Sequence, residues 1–379
     1  MNFIQKGRLR IMLRQVLWVT FFWTLIGALD ALYLHSLSNN EYISRTHLYN
    51  FERLFWANTL ASFFSGLLGG ALLIFFLRER FRHKSFGYTL LVNGVLISLF
   101  NFFVSTFFFD LFFSLSSGKS PFSPSVIQET TSLLRSSFFT KNLFFWTIIV
   151  VLTIIFLNVN EKYGPGVLGK LLLGRYHRPS EEERIFMFVD MKSSTTIAER
   201  LGHINFFNLL NDFFRDITNP VIYTSGEVYQ YVGDEVVISW TMENGIRNAN
   251  CIRCFYDMQE AIQKRAKRYH KLYGIIPEFK VGLHCGLVTT GEIGVIKKDI
   301  VFSGDVMNTT SRIQSLCNGH KVKILLSKNL LSRLHLPPHS YNPNRVGIIE
   351  LKGKRQRVEL YTLGYNYGND GEIRTISKM

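Results

Sequence analysis

The 379-residue sequence is poor in cysteine: it has four, Cys251, Cys254, Cys285 and Cys317, all in the second half. That excludes the disulfide framework of a small secreted domain and points to free thiols in a reducing compartment. Cys251 and Cys254 form a C-x-x-C, but no second pair accompanies it and the surrounding pattern is helical, so a helix face is expected rather than a zinc site. Acidic residues are scarce in the first half. Residues 1–178 hold 17 Lys/Arg against 7 Asp/Glu, whereas the remainder holds 26 against 21. Most of the net charge of +15 therefore belongs to the apolar half, where topology explains it. No basic helix or aromatic-interleaved patch argues for nucleic acid. A signal-peptide cleavage site is also lacking after the first apolar run, so that run is expected to be retained.

Long apolar runs are abundant, and most of the 34 Phe lie in the first 160 residues. A hydrocarbon core needs about 20 apolar residues of helix. Val16–Leu34, Phe55–Leu77, Phe86–Phe109 and Leu143–Val159 approach that length. Lys and Arg near the first, third and fifth connecting segments number twelve, against five in the other two, which predicts four spans in an inner or plasma membrane with both termini cytoplasmic. The second span carries Ala61, Ser65, Gly69 and, beside them, Ser62, Gly66 and Gly70. This stripe of small residues suits packing within the bundle ahead of a dimer seam. Asp30 and Asp110 are expected at the outer interface. The outer segment 110–142, rich in Ser and Phe, reads as a loop too small for a sensor domain. The resulting division is a transmembrane bundle (1–160), a connector (161–183) broken at Gly164-Pro165-Gly166, a catalytic domain (184–364) and a tail (365–379).

From Arg184 strands and helices alternate in an α+β pattern of ferredoxin-like type. Ile185–Thr196 (IFMFVDMKSSTT) is a buried strand ending in Asp190, then a turn, then a helix start. Tyr229–Asp234 (YQYVGD) places a second carboxylate in a hairpin. Two carboxylates beside a helix N-terminus point to a two-metal nucleotide site. Residues 195–218 read as one helix with Phe206, Phe207, Leu209, Leu210, Phe213 and Phe214 on a broad apolar face, and 246–272 as one long helix.

The segments FVDMKSST, YVGDEVVISW, VGLHCGLVTTGEIG, GDVMNTTSRI and ELKGKRQRVELYTL stand in that order, and together they resemble the class III nucleotidyl cyclase catalytic domain. The resemblance implies conversion of ATP to cyclic AMP and pyrophosphate by in-line attack of the ribose 3′-hydroxyl. It implies Asp190 and Asp234, with the Met191 carbonyl, as ligands for two divalent ions, Mg2+ or Mn2+. It assigns the turn Lys192, Ser193, Ser194 and Thr195 to the β- and γ-phosphates, Asn308 to the ribose, Arg312 to charge on the α-phosphate and Lys352 to the terminal phosphates. Because the family draws these two sets from opposite subunits, it implies a homodimer with two shared sites, held at the membrane lipid. His284 falls in a family strand motif without a catalytic role and is expected to be structural.

The purine-reading positions depart from the family pattern. They fall on Gln230 and Val301, where adenylate cyclases usually carry Lys and Asp (or Thr) and guanylate cyclases Glu and Cys. Gln can hydrogen-bond either purine edge, and Val offers only apolar contact. ATP is favoured and GTP stays open. A diguanylate cyclase, suggested by Gly233-Asp234-Glu235, leaves Asn308 and Arg312 unexplained. A receptor or dimerisation module with a degenerate cyclase fold is the non-enzymatic alternative.

Overall fold

The computed structural model describes residues 3–38, 51–81, 84–135, 137–163, 178–296, 298–337, 340–350 and 357–365. Lys352, the Gly164-Pro165-Gly166 break and most of the connector and tail lie outside the described residues. The chain divides into two compact units, Arg8–Tyr163 and Gly164–Met379 with the first seven residues.

Four helices of the first unit are long and apolar enough to cross a membrane: Ile11–Tyr33, Phe55–Leu77, Phe86–Leu115 and Thr140–Asn160. The first lies within α1 (Phe3–Ser38). The second begins in α2 (Phe51–Phe64) and continues through two π-helical segments, Ser65–Gly69 and Leu72–Leu77. The third lies within α3 (Phe86–Ser117) and the fourth within α5 (Ser137–Tyr163). The outer segment differs from the loop expected over 110–142. Helix α3 runs to Ser117, where Gly118 adopts φ +66 as a left-handed cap, and α4 (Pro124–Leu134) opens on a proline, the residue whose missing N–H costs least in a first turn.

The small-residue stripe is consumed inside the bundle. A Cβ on Gly66 would fall 2.8 Å from the Thr20 Cα, one on Gly70 3.2 Å from Val19, and one on Gly69 3.3 Å from Phe100. Several polar groups buried here pair across helices. Asn58 donates to the Gly27 carbonyl (3.0 Å) and to Asp30 (3.2 Å), Ser65 donates to Asn101 (2.8 Å), and Trp23 Nε1 donates to Thr153 (3.0 Å). Asp110 accepts from Thr130 at 2.9 Å. Each pairing avoids an unsatisfied group in hydrocarbon.

The second unit is an eight-stranded sheet with helices on it. In chain order it runs β1 (Ser180–Met191), α6 (Ser194–Leu201), α7 (His203–Tyr223), β2 (Glu227–Val232), β3 (Glu235–Thr241), α8 (Met242–Ile246), α9 (Asn250–Lys264), α10 (Ala266–Tyr273), β4 (Phe279–Ile293), β5 (Asp299–Ser303), α11 (Asp305–Ser315), β6 (Ile324–Ser327), α12 (Lys328–Leu331), β7 (Tyr341–Glu350) and β8 (Arg357–Tyr365). The sheet order is β2-β3-β1-β4-β6-β8-β7, with β5 paired to β4. Among the described residues only the β4–β6 pairing is parallel. This is the α+β sheet domain that the strand pattern predicts.

Two expected helices are broken. Residues 195–218 split at Gly202, whose φ of +73 ends α6 and starts α7 at a new angle. Within α7 the apolar face is also narrower than expected. Leu209, Leu210 and Phe213 are buried and Phe206 and Phe214 partly so, but Phe207 is 63% exposed. The 246–272 helix is interrupted at Asn248 and Ala249, both at φ +51, and again at Arg265. Ala249 is fully buried, so packing holds it in a conformation its own propensity disfavours.

Helix α11 lies directly on β4 because the strand carries glycines where the helix crosses. A Cβ on Gly282 would fall 2.4 Å from the backbone N of Gln314, and one on Gly286 2.6 Å from Val306.

Candidate active site

Strand β1 is buried from Ile185 to Val189 and delivers Asp190 to its C-terminal end. Asp190 pairs in register with Glu235 of β3 on one side and Lys280 of β4 on the other. Gly233 (φ +62) and Asp234 form the two-residue turn between β2 and β3, so Asp234 sits one residue from Asp190's cross-strand partner. Glu235 reports the crowding. Its carboxyl is pushed up to about 7, mainly by burial and further by the charges of Asp190 and Asp234. Lys280 Nζ, 3.0 Å from Asp190 Oδ2, opposes that excess.

Hard carboxylate oxygens with uncompensated negative charge are the donor chemistry a divalent cation needs. Among the described residues no group of three or more His, Cys, Asp or Glu side chains is arranged to hold an ion unaided. Asp190 and Asp234 thus fit a site completed by backbone or substrate oxygens, as Mg2+ sites with one or two carboxylates commonly are. Met191, next to Asp190, is 1% exposed.

Beyond Met191 the chain turns. Ser193 occupies the left-handed region at φ +58 and precedes α6 without a side-chain capping bond. A non-glycine residue held there is strained, and the first-turn N–H groups around Ser194 and Thr195 are left without a side-chain partner to satisfy them. Lys192 is exposed and pairs with Glu278 at 3.3 Å.

Asn308 and Arg312 share a face of α11. Asn308 is exposed and Arg312 half-buried, and neither makes a side-chain hydrogen bond or ion pair among the described residues. Gln314 is separated from Arg312 by about 160° around the same helix, is 5% exposed, and donates from Nε2 to Asp190 Oδ2 at 2.9 Å. The face of α11 that meets Asp190 is therefore not the face that carries Asn308 and Arg312. Within one chain the structure brings Asp190, Asp234 and Glu235 together and turns Asn308 and Arg312 away from them.

Gln230 is exposed on β2 and Val301 half-buried on β5. Their sequence neighbours tie the two strands: the Tyr229 and Phe302 rings are 4.9 Å apart, and Phe302 N donates to the Tyr229 hydroxyl at 3.3 Å. A register shift between Val228 and Gln230 accompanies this. His284 holds Ser327 through Nδ1 at 2.7 Å, and Ser327 caps α12. Cys251 and Cys254 are fully buried in α9, and burial pushes the Cys254 thiol up to about 12, which suits packing and not ligation.

Sequence reasoning missed Lys280, Gln314 and the role of Glu235 in this cluster. Glu235 was legible as part of the hairpin. Lys280 and Gln314 reach Asp190 only through strand register and the helix-on-strand crossing at Gly282.

The family model described as "Adenylate and Guanylate cyclase catalytic domain" matches residues 177–364. The chain is 39% identical over 207 residues to Adenylate cyclase 2 of Rhizobium meliloti, covering 55% of this chain and 57% of that one. It is 25% identical over 189 residues to an adenylate cyclase of Anabaena cylindrica, covering 48% and 37%. It is also 26% identical over 209 residues to a receptor-type guanylate cyclase of Drosophila melanogaster, covering 52% and 13%. The chain thus spans less than two thirds of the length of each. A bacterial light-regulated adenylyl cyclase structure superposes with a TM-score of 0.50 at 21% identity, over 62% of this chain and 67% of that one, a likeness of fold alone.

Proposed function

We propose that the chain, whose residues 177–364 match the family model of the adenylate and guanylate cyclase catalytic domain, is a membrane-anchored adenylate cyclase, converting ATP to cyclic AMP and pyrophosphate as a homodimer. The observation that carries the reading is the disposition of α11. Asp190 and Asp234 gather at one strand end, while Asn308 and Arg312 point away on the far face of a helix whose near face touches Asp190. A complete site then needs the metal half of one chain and the Asn/Arg half of another. The exposed apolar edge of β2, with Val228, Tyr231 and Val232, and Ile204 and Phe207 on α7 give a second copy a surface to cover.

In this reading Asp190 and Asp234, with the Met191 carbonyl, hold two divalent ions, Mg2+ or Mn2+, which when bound acidify the 3′-hydroxyl and neutralise triphosphate charge. The strained turn at Ser193 and the first-turn N–H groups of α6 cradle the β- and γ-phosphates. Lys352 adds a cation to the terminal phosphates. Across the interface Asn308 orients the ribose. Arg312, with no competing carboxylate among the described residues, meets the charge that grows on the α-phosphate. Gln230 and Val301 face the purine. ATP is favoured because the two bacterial relatives compared above are named adenylate cyclases. The four spans anchor the enzyme with both termini on the cytoplasmic side, where ATP is available. In this division, residues 161–183 connect the bundle to the catalytic domain.

The test uses full-length protein in detergent with Mn2+ and labelled ATP or GTP. Cyclic AMP is expected. Cyclic GMP in its place transfers the assignment to GTP, and the absence of both products would falsify the cyclase reading. Co-expressing Asp190→Ala and Arg312→Ala chains, each inactive alone, is expected to restore one active site per dimer.

A further inference from the structure

The side chain of Gln314 has no place in the reaction just described, yet it is only 5% exposed and spends its amide on Asp190. The bond runs from Nε2 to Oδ2 at 2.9 Å, and Lys280 Nζ approaches the same oxygen at 3.0 Å. Both contacts fall on Oδ2, so Oδ1 is the oxygen that neither engages. A carboxylate held through one oxygen has its rotamer fixed and its other oxygen free to ligate, which is how outer partners orient metal ligands.

The position of the donor matters as much as the bond. Gln314 belongs to α11, and α11 is seated on β4 with no clearance, since Gly282 leaves room for nothing larger than hydrogen beneath the Gln314 backbone. The opposite face of the same helix carries Asn308 and Arg312. One buried side chain thus joins the strand end that gathers the carboxylates to the helix that presents the other pair.

We propose that Gln314 is a positioning residue with two tasks: it orients Asp190 to accept a divalent cation in its own chain's half-site, and it pins α11 so that Asn308 and Arg312 are presented correctly to the other half-site. This rests on the metal-pair and shared-site reading above. Lys280 has a different effect on the same oxygen. Its positive charge opposes a second cation, whereas the neutral amide of Gln314 orients without repelling.

The experiment uses full-length protein in detergent and the probe Mn2+, titrated by electron paramagnetic resonance in the presence of the unreactive nucleotide 3′-deoxy-ATP. Gln314→Met keeps the side-chain volume and removes the donor. It is expected to raise the Mn2+ dissociation constant roughly 10–100-fold, while turnover at saturating Mn2+ falls far less than at limiting Mn2+. Gln314→Asn retains the amide on a shorter arm and gives the same readout if the methionine variant does not fold. A dissociation constant within twofold of the parent, with Asp190→Ala abolishing binding, overturns the positioning role alone. If Asp190→Ala itself leaves Mn2+ binding intact, the metal reading of Asp190 fails and takes this proposal with it. The second task is read in mixed dimers. One chain carries Asp234→Ala, which leaves the Gln314–Asp190 bond in place, and the other carries Arg312→Ala, so the one live site uses the first chain's Asn308 and Arg312. Adding Gln314→Met to the first chain is expected to lower that site's turnover on the order of tenfold, as small misplacements of catalytic groups do. Unchanged turnover overturns the pinning of α11.

Discussion

The two units of this chain use polar residues inside them in opposite ways. In the membrane unit the polar residues that are fully buried are neutral: Asn58 donates to the first span, Ser65 donates to Asn101 on the third, and several Ser and Thr hydroxyls return to the carbonyl four residues back. The catalytic unit buries charge. Arg184 is 2% exposed, contacts Glu182, Glu227 and Ser239, and lies over the Phe302 ring at 4.7 Å, while Asp216 is held by Tyr269 at 2.9 Å and faces Arg265 at 3.3 Å. A charge in hydrocarbon has only protein to solvate it, and neutral amides meet the same geometric need at less cost. In the second unit partial access to water and nearby counter-charges make buried ions tolerable, and that unit can then concentrate carboxylates at Asp190, Asp234 and Glu235. Glycine serves both units alike, admitting a helix against a helix at Gly66 and a helix against a strand at Gly282.

The largest expected break in this contrast comes from the charges of the candidate site. Arg312→Ala should lower turnover by about 10²–10³-fold, the usual cost of removing one preorganised donor. It should leave the melting temperature nearly unchanged, because Arg312 makes no ion pair among the described residues. A coupled cyclase assay and thermal denaturation of the same sample measure both. A loss of folding would mean that Arg312 is structural. No neutral substitution of a buried polar group in the bundle, such as Asn101→Leu, should reach that size in activity.

Next come the two glycines. Gly282→Ala drives a Cβ to 2.4 Å from the Gln314 backbone N, and Gly66→Ala drives one to 2.8 Å from the Thr20 Cα. In neither case is the obstacle a movable side-chain tip, so each should cost about 1–3 kcal/mol through forced backbone shifts. The effects should separate by unit. Gly282→Ala lowers the melting temperature of the catalytic unit and activity with it, and Gly66→Ala loosens the bundle, seen as faster proteolysis between spans. If Gly66→Ala instead left the bundle intact and weakened only self-association, the stripe would be a dimer seam.

These glycines also mark how far the sequence could be read. The spans and the α+β pattern were legible because apolar runs and strand alternation are local. Asp190 and Asp234 were legible because each ends an apolar run at a turn. The break at Gly202 had a local signal, a glycine in a helical pattern, but the break at Ala249 did not, since alanine reaches φ +51 only where burial compels it. Gln314 and Lys280 were invisible for a related reason. Nothing near them in sequence says that β4 lies beside β1 in this register or that α11 crosses at Gly282.

A smaller effect is expected from the bundle's neutral pairs. Ser65→Ala removes the 2.8 Å bond to Asn101 at the first residue of a π-helical segment. Interhelical hydrogen bonds in membranes contribute about 0.6 kcal/mol on average and rarely more than about 1.7. Unfolding of the full chain in mixed detergent should detect a loss in that range. A loss several times larger would show that the membrane unit depends on polar pairs as heavily as the catalytic unit does on ions.

The smallest and most diagnostic change concerns Glu235. Its folded carboxyl is raised to about 7 from an ordinary 4.5 by burial and by Asp190 and Asp234. A raised folded value means that the folded state binds its proton more tightly than the unfolded chain does. The stabilisation from this group is therefore complete below about 4.5 and is lost as pH climbs through about 7. Glu235→Gln removes the repulsion permanently. Without divalent metal its melting temperature should match the parent near pH 4 and exceed it increasingly between pH 5 and 8, where Glu235 ionises. Adding Mn2+ should shrink the gap at pH 8, because positive charge between Asp190 and Asp234 relieves the same repulsion. A gap that is constant with pH would trace the difference to packing. A gap that grows with pH yet ignores Mn2+ would place the cation elsewhere than at Asp190 and Asp234.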